Sequence, residues 1–212
     1  MAETKPKTRR PPQFDLIAGN AALDFVNTLD DRYTEQPKEL LQNYADLARF
    51  GEDTALLEPK HVDRLLKLSS AAPARARDAL HRAKELREAI HDIFSAITKE
   101  RPAPAEALAR LNREVQIATQ HLHLTPSSDA DHFEWRFDDL DDFDGIRWRI
   151  ARSAADLLAS DHLPFVRACS SETCLWFFLD TSKNHHRRWC DMKRCGNRDK
   201  VRRFYAKSRA SD

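Results

Sequence analysis

All four cysteines of this 212-residue chain fall between residues 169 and 195, as Cys169, Cys174, Cys190 and Cys195. Two C-x4-C pairs separated by fifteen residues are what a tetrahedral four-cysteine zinc site needs. Each pair sets two thiolates on one tight loop, and the gap brings the second loop round to close the tetrahedron. The usual spacing within a pair is x2, so x4 is slightly loose. Two disulfides or four unrelated core cysteines are the alternatives. Disulfides need an oxidising compartment, and the opening MAETKPKTRRPPQ is polar, without the apolar core of an export signal. Scattered core cysteines would not pair at equal intervals with none elsewhere. One structural zinc held by the four thiolates is the expectation, with no open position for water and hence no hydrolytic chemistry. Loss of the ion should unfold the module, which leaves a redox-sensing role conceivable.

The residues around the ligands suggest how the site is built. Leu175 to Leu179 is a strand-like apolar run, and Asp180 to Asn184 is rich in turn formers. Arg188-Trp189-Cys190 then reads as the returning strand of a hairpin. Gly196 offers a residue free to take positive φ, and a basic helix is expected from Asn197 through Arg198, Lys200, Arg202, Arg203, Tyr205, Lys207 and Arg209. Knuckle, hairpin and helix together describe a treble-clef-like zinc module. Trp176, Trp189 and Tyr205 are expected in its small core.

Trp189-Cys190-Asp191-Met192-Lys193-Arg194-Cys195-Gly196-Asn197-Arg198, preceded by Phe178 to Asn184 and Arg187-Arg188, resembles the signature of the CGNR zinc-finger family. Nearer the start, Gly19-x-x-x-Leu23-Asp24-Phe25-x-Asn27-Thr28 resembles the opening of the ABATE domain, the larger N-terminal part of such proteins. The resemblance implies a bacterial transcription regulator whose N-terminal domain senses a small molecule or a stress signal.

Net charge is +1, yet residues 183 to 209 hold 11 Lys/Arg against 2 Asp/Glu, and the rest of the chain carries a balance of −8. An acidic body with a basic end points to a polyanionic partner for the end alone. Double-stranded DNA is the partner expected. Arg187, Arg188, Lys193, Arg194, Arg198, Lys200, Arg202 and Arg203 are the candidate contacts, Arg198 and Arg202 sharing a helix face as base readers. A protein-interaction module with an acidic partner and an RNA-binding protein stacking bases on Trp176, Trp189 and Tyr205 are the alternatives. A small-molecule effector and a homodimer are admitted as further partners. No P-loop, GxGxxG, nucleophile elbow or HExxH occurs, so no enzyme is expected. No apolar run approaches the roughly 20 residues that cross a bilayer, and a cytoplasmic protein is expected.

The fold expected is α+β and mainly α-helical. It comprises a tail over 1–12, a helical domain with one β-hairpin over 13–163, and the zinc module over 164–212. A helix should carry Leu23, Val26 and Leu29. Its polar Asp24, Asn27 and Thr28 need partners, most simply neighbouring backbone; alternatively Asn27, with Arg32, lines a small-molecule pocket. Asn43 should cap a helix that stops at Gly51. Further helices are expected over 61–69, 74–100, from 104 or 105, and over 145–160. Alternation in His121 to Leu124 and His132 to Phe137 predicts the hairpin. His121, His123 and His132 could share a metal, although a solvated strand face is simpler. His81 and His91 are expected at the surface. The acidic run Asp138 to Asp144 lacks the glycine and distal glutamate of a calcium loop and suits a helix start. Arg147, Arg149 and Arg152 should lie outside the last helix's apolar face and pair with these aspartates.

Overall fold

The computed structural model of the chain describes residues 13–127, 131–138 and 141–202. The expected tail over 1–12 and the end of the basic helix, including Arg203 and Tyr205, lie outside the described residues. The elements run α1 (Ala21–Val26), β1 (Leu29–Asp30), β2 (Lys38–Glu39), α2 (Tyr44–Asp53), α3 (Pro59–Ala71), α4 (Pro73–Ile97), α5 (Ala105–Gln120), β3 (Leu122–Pro126), β4 (Phe133–Phe137) and α6 (Gly145–Leu158). A 3-10 turn (Leu163–Phe165) then leads to β5 (Val166–Ala168) and β6 (Phe177–Leu179), and a π-helical turn (Met192–Gly196) continues as helix over 197–202.

The helices form because their apolar residues recur at helical spacing and their ends are marked. Asn43 closes a capping box with Asp46 at the start of α2, and Pro59 and Pro73 open α3 and α4 where no N–H is needed. α4 is the central element. Its Leu80, Ala83, Leu86, Ile90, Ile93 and Phe94 are buried, and α1, α2, α3, α5 and α6 all pack on it. The aromatic centre joins Phe14, Phe25 and Phe50, with ring centroids 5.5 Å apart in both pairs.

Several expectations are corrected. α1 ends at Val26, and Leu29 lies instead in β1, which pairs antiparallel with β2; the body therefore has two small ladders, not one hairpin. Gly51 sits inside α2, where Leu57 packs so closely that a Cβ would stand 3.1 Å from its Cδ1. Arg147 pairs with Asp144, as expected, but it is buried and also pairs with Glu114. Arg149 lies 4.4 Å over the Phe137 ring, and Arg152 pairs with Asp156.

A second buried cation, Arg87, is 3% exposed on α4. Its guanidinium donates to both Glu39 carboxylate oxygens at 2.8 and 2.7 Å and to Thr28 Oγ1 at 3.0 Å. Burial raises the Glu39 carboxyl, but the Arg87 hydrogen bonds and charge outweigh it and hold the group below the usual carboxylate range. This bidentate pair ties the β1–β2 ladder to the central helix.

The β3–β4 hairpin forms as expected, with Leu122 opposite Phe137, Leu124 opposite Trp135 and Pro126 opposite Phe133. These three rows share one face, and Leu124, Phe133 and Trp135 on it are 55, 69 and 58% exposed. His121 stacks on Trp148 at 3.9 Å and bonds Asp138, and the cysteines are the only metal-competent cluster among the described residues. No helix among the described residues is long and apolar enough to cross a membrane.

Candidate metal centre

The four cysteine sulfurs converge within 4.8 Å of one another. Cys174 Sγ stands 3.5 Å from Cys190 Sγ, which stands 3.7 Å from Cys195 Sγ. A zinc tetrahedron with Zn–S bonds of about 2.3 Å has edges of about 3.8 Å, which these two spacings match closely. The sulfurs alone show why a cation belongs there. Hydrogen bonds from Cys174 and Cys190 hold the Cys169 thiol far below the ordinary range, and the same bonds drive Cys174 and Cys190 upward. Four thiols this close cannot all ionise by themselves, whereas a dication favours every thiolate.

Two short loops supply the ligands. Cys169 follows β5, and its N–H donates to Trp176 O at 2.8 Å. The chain turns through Ser171, whose carbonyl accepts from Cys174 at 3.1 Å, and Leu175 takes a left-handed φ of +53° to send the chain into β6. In the second loop Asp191 caps the π turn, accepting from the N–H groups of Lys193 at 2.5 Å and Arg194 at 3.1 Å. Its carbonyl accepts from Cys195 at 2.9 Å, which fixes Cys195 over the turn. Gly196 does not take positive φ, as was expected of it. It sits buried in the π turn, where a Cβ would meet Met192 Sδ at 2.4 Å.

The expected hairpin between the ligand pairs does not form. β6 pairs with β5, in the register Val166–Leu179 and Ala168–Phe177, and residues 188–190 return only through one bond, Ser170 N–H to Arg188 O at 2.8 Å. Buried Asp180 closes the intervening loop, accepting from Ser182 N–H at 3.0 Å and Arg187 N–H at 2.8 Å. Turn closure by side chain replaces the second strand.

The other edge of β6 meets the body. Leu179 N–H donates to Ala18 O at 2.7 Å, while the Asn27 amide pairs twice with Phe177, Nδ2 to its carbonyl at 2.9 Å and Oδ1 from its N–H at 3.0 Å. Asn27 is thus bonded to backbone 150 residues away, not to its neighbours. Gly19, at φ +75°, lets the chain pass Leu179 with 3.6 Å clearance for a Cβ. Phe177 packs on Phe94 and His91 of α4, and the module's aromatics and cysteines join the body's core as one cluster. His91, expected at the surface, is half-buried here and bonds Tyr33 Oη at 2.6 Å. Burial lowers its pKa, with Arg32 adding to the shift.

Asn27 and Arg32 do line a cleft, together with His91, Cys174 and Trp176, but it holds about 10 Å³, room for one water. Arg32 pairs with Glu88. A larger open recess of about 380 Å³ lies between α4 and α5, lined by Glu85, Glu88, Asp92, Glu106 and Arg110.

The candidate DNA contacts divide in two. Arg187 turns inward, donating to the carbonyls of Trp189 and Cys190 with its guanidinium 4.5 Å over Phe178; it braces the metal loop. Arg188, Lys193, Arg194, Arg198, Lys200 and Arg202 are exposed. Arg194 pairs with Asp15, Arg202 with Glu172 and Asp199, and Arg198 bonds Thr173 at 3.4 Å. Trp176 is buried and Trp189 half-buried, as a small core requires.

Family models decide the assignment. Residues 19–161 match ABATE, described as "putative stress-induced transcription regulator", and residues 166–208 match the CGNR zinc finger. The chain belongs to the ABATE family. The ABATE match spans the helical body, and the CGNR match begins at β5 and takes in all four ligands, so the centre is one structural zinc site. No curated protein matches the chain.

Proposed function

We propose that this ABATE–CGNR protein is a regulator that binds double-stranded DNA through the basic face of its zinc module. The observation that carries the reading is the placing of Arg188, Lys193, Arg198 and Lys200, all exposed, on a loop and helix anchored directly by Cys190 and Cys195. When bound, the metal supplies a rigid cross-link and no open coordination position. The chain's own residues then present the cations. Asp191 caps the turn, Arg187 braces the carbonyls of Trp189 and Cys190 just before it, and the helix over 197–202 extends outward from Cys195. The exposed pairs Arg194–Asp15 and Arg202–Glu172 are weak enough to exchange for phosphates.

A stress signal then has to reach the zinc module. The cleft at Asn27 and Arg32 has room for one water and no larger effector, so the shared core, latched by Asn27 to Phe177, is the route by which body and module affect each other. A second copy would join through the exposed apolar side chains Leu124, Phe133 and Trp135 of β3–β4, which offer nothing to phosphate or to an acidic partner. Sedimentation equilibrium should then show dimer for the native chain and monomer for Trp135→Lys, and a native monomer at all concentrations would remove the dimer from the account.

The test of DNA binding is fluorescence anisotropy of a mixed-sequence duplex across a salt series. Affinity should fall steeply with salt, and the Lys193→Ala/Arg198→Ala/Lys200→Ala variant should reduce the salt slope by about 2 to 3 while retaining zinc. No binding by the zinc-loaded protein at low salt would overturn the reading and send the basic surface to a protein or RNA partner.

A further inference from the structure

The helix over 197–202 continues the π turn that carries Cys195, so burial along it shows which side meets the zinc module. Cys195 and Gly196 are buried just before it, and Asp199 keeps only 12% of its side chain exposed. That side is the inner one. Successive helical residues turn by about 100°, so Asn197 and Val201 lie at about 160° and 200° from Asp199, on the crest that faces away from the module. Both are exposed, Val201 at 55%. The cations fall on the flanks, Lys200 to one side of the crest and Arg198 with Arg202 to the other. Arg198 and Arg202 also fold back toward the module: Arg198 bonds Thr173 at 3.4 Å, and Arg202 pairs with Glu172 and Asp199.

From this arrangement we infer that Asn197 and Val201 are the base readers of the helix, and that the site they specify contains an A·T pair. A helix lying in the major groove with its module behind it turns its crest to the base edges and its flanks to the phosphate walls. Each crest side chain suits one kind of edge. The Asn197 amide sets a donor beside an acceptor, which match adenine N7 and N6–H; guanine presents two acceptors there and is met only singly. The Val201 methyls match the 5-methyl of thymine, the apolar group that the groove offers. Arg198 and Arg202, expected from their spacing to be the readers, become phosphate contacts with Lys200. Spacing alone could not distinguish the two faces, because it is the burial of Asp199 that orients the helix. The inference rests on the DNA binding proposed above and adds which base pair is read and by which side chains.

The experiment selects duplexes from a random-sequence library with the zinc-loaded full chain. Anisotropy is then measured on the selected duplex, on the same duplex with deoxyuridine in place of every thymidine, and on a mixed-sequence duplex. The native chain should enrich a site with an A·T pair. On that duplex Asn197→Ala should lose about tenfold and Val201→Ala about fourfold, while both keep one zinc and bind the mixed-sequence duplex like the native chain. Deoxyuridine lacks the 5-methyl, so it should cost the native chain about fourfold and Val201→Ala nothing. Arg198→Ala should weaken selected and mixed duplexes by the same factor. Binding without a preferred site, a preferred site without an A·T pair, or a native chain indifferent to deoxyuridine would overturn the inference and leave DNA binding in place. So would an Asn197→Ala variant that keeps the native preference, or an Arg198→Ala variant that changes the preferred base. Absence of binding to every duplex at low salt would instead overturn the DNA reading, and this inference with it.

Discussion

At the scale of single residues, Asn27 and Asp24 show how α1 serves the zinc module. Asn27→Ala removes both bonds to Phe177 and leaves a buried N–H and carbonyl unpaired, so it should cost about 3 kcal/mol. A urea melt would show the loss as a lower midpoint, and an unchanged midpoint would mean that the latch is redundant. Asp24 carries a different signature. Burial raises its carboxyl to about 6, against hydrogen bonds from the Ala18 and Ile17 N–H groups that pull it down. Between about pH 4 and 6 the folded chain then holds a proton that the unfolded chain has released, so this group's contribution to stability grows as pH falls through that window. A carboxyl NMR titration should find its midpoint near 6, and a midpoint at or below 4 would refute the assignment. That Asn27 and Asp24 needed partners was legible from their polarity within an apolar stripe. Asp24 finds neighbouring backbone, as expected, in Ala18 N–H at 2.9 Å, whereas Asn27 is met by Phe177, 150 residues away, which no local signal names.

At the scale of elements, the two glycines flanking the metal module make opposite predictions. Gly19 takes a left-handed φ with ordinary space around its Cβ position, so Gly19→Ala should cost about 1 to 2 kcal/mol in backbone strain alone. Gly196 has no such φ, and its Cβ would meet only the exposed Met192 side chain, at its sulfur and the neighbouring carbons, which can swing away. Gly196→Ala should therefore cost less than Gly19→Ala in thermal melts and keep one equivalent of zinc; loss of the metal would contradict the geometry. Element existence was largely legible. The Asn43 cap, the prolines opening α3 and α4, and the alternation of β3 and β4 are local signals that the tertiary structure does not override. The pairing of β6 was not legible, because Asp180 closes the loop by side chain and leaves β5 as the free edge. Arg87 escaped detection because its carboxylate partner, Glu39, sits on another element, and the burial of Arg147 did so because Glu114 does; only its pairing with Asp144 was legible.

At the scale of the molecule, the cysteine spacing fixed the ligand set, since tetrahedral geometry admits few loop lengths, and charge partition marked the basic end. Neither could show that module and body share one core, which comes from Phe177 on Phe94 and from the Ala18 and Asn27 bonds along β6. The central claim is that the metal organises the surface that meets DNA. The measurement that tests it most directly is a zinc titration into the metal-free full chain, with duplex anisotropy read in the same cuvette. The account predicts that DNA binding rises in step with zinc and saturates at one equivalent. Full binding before any zinc is added, or one equivalent bound with no gain in anisotropy, would contradict it.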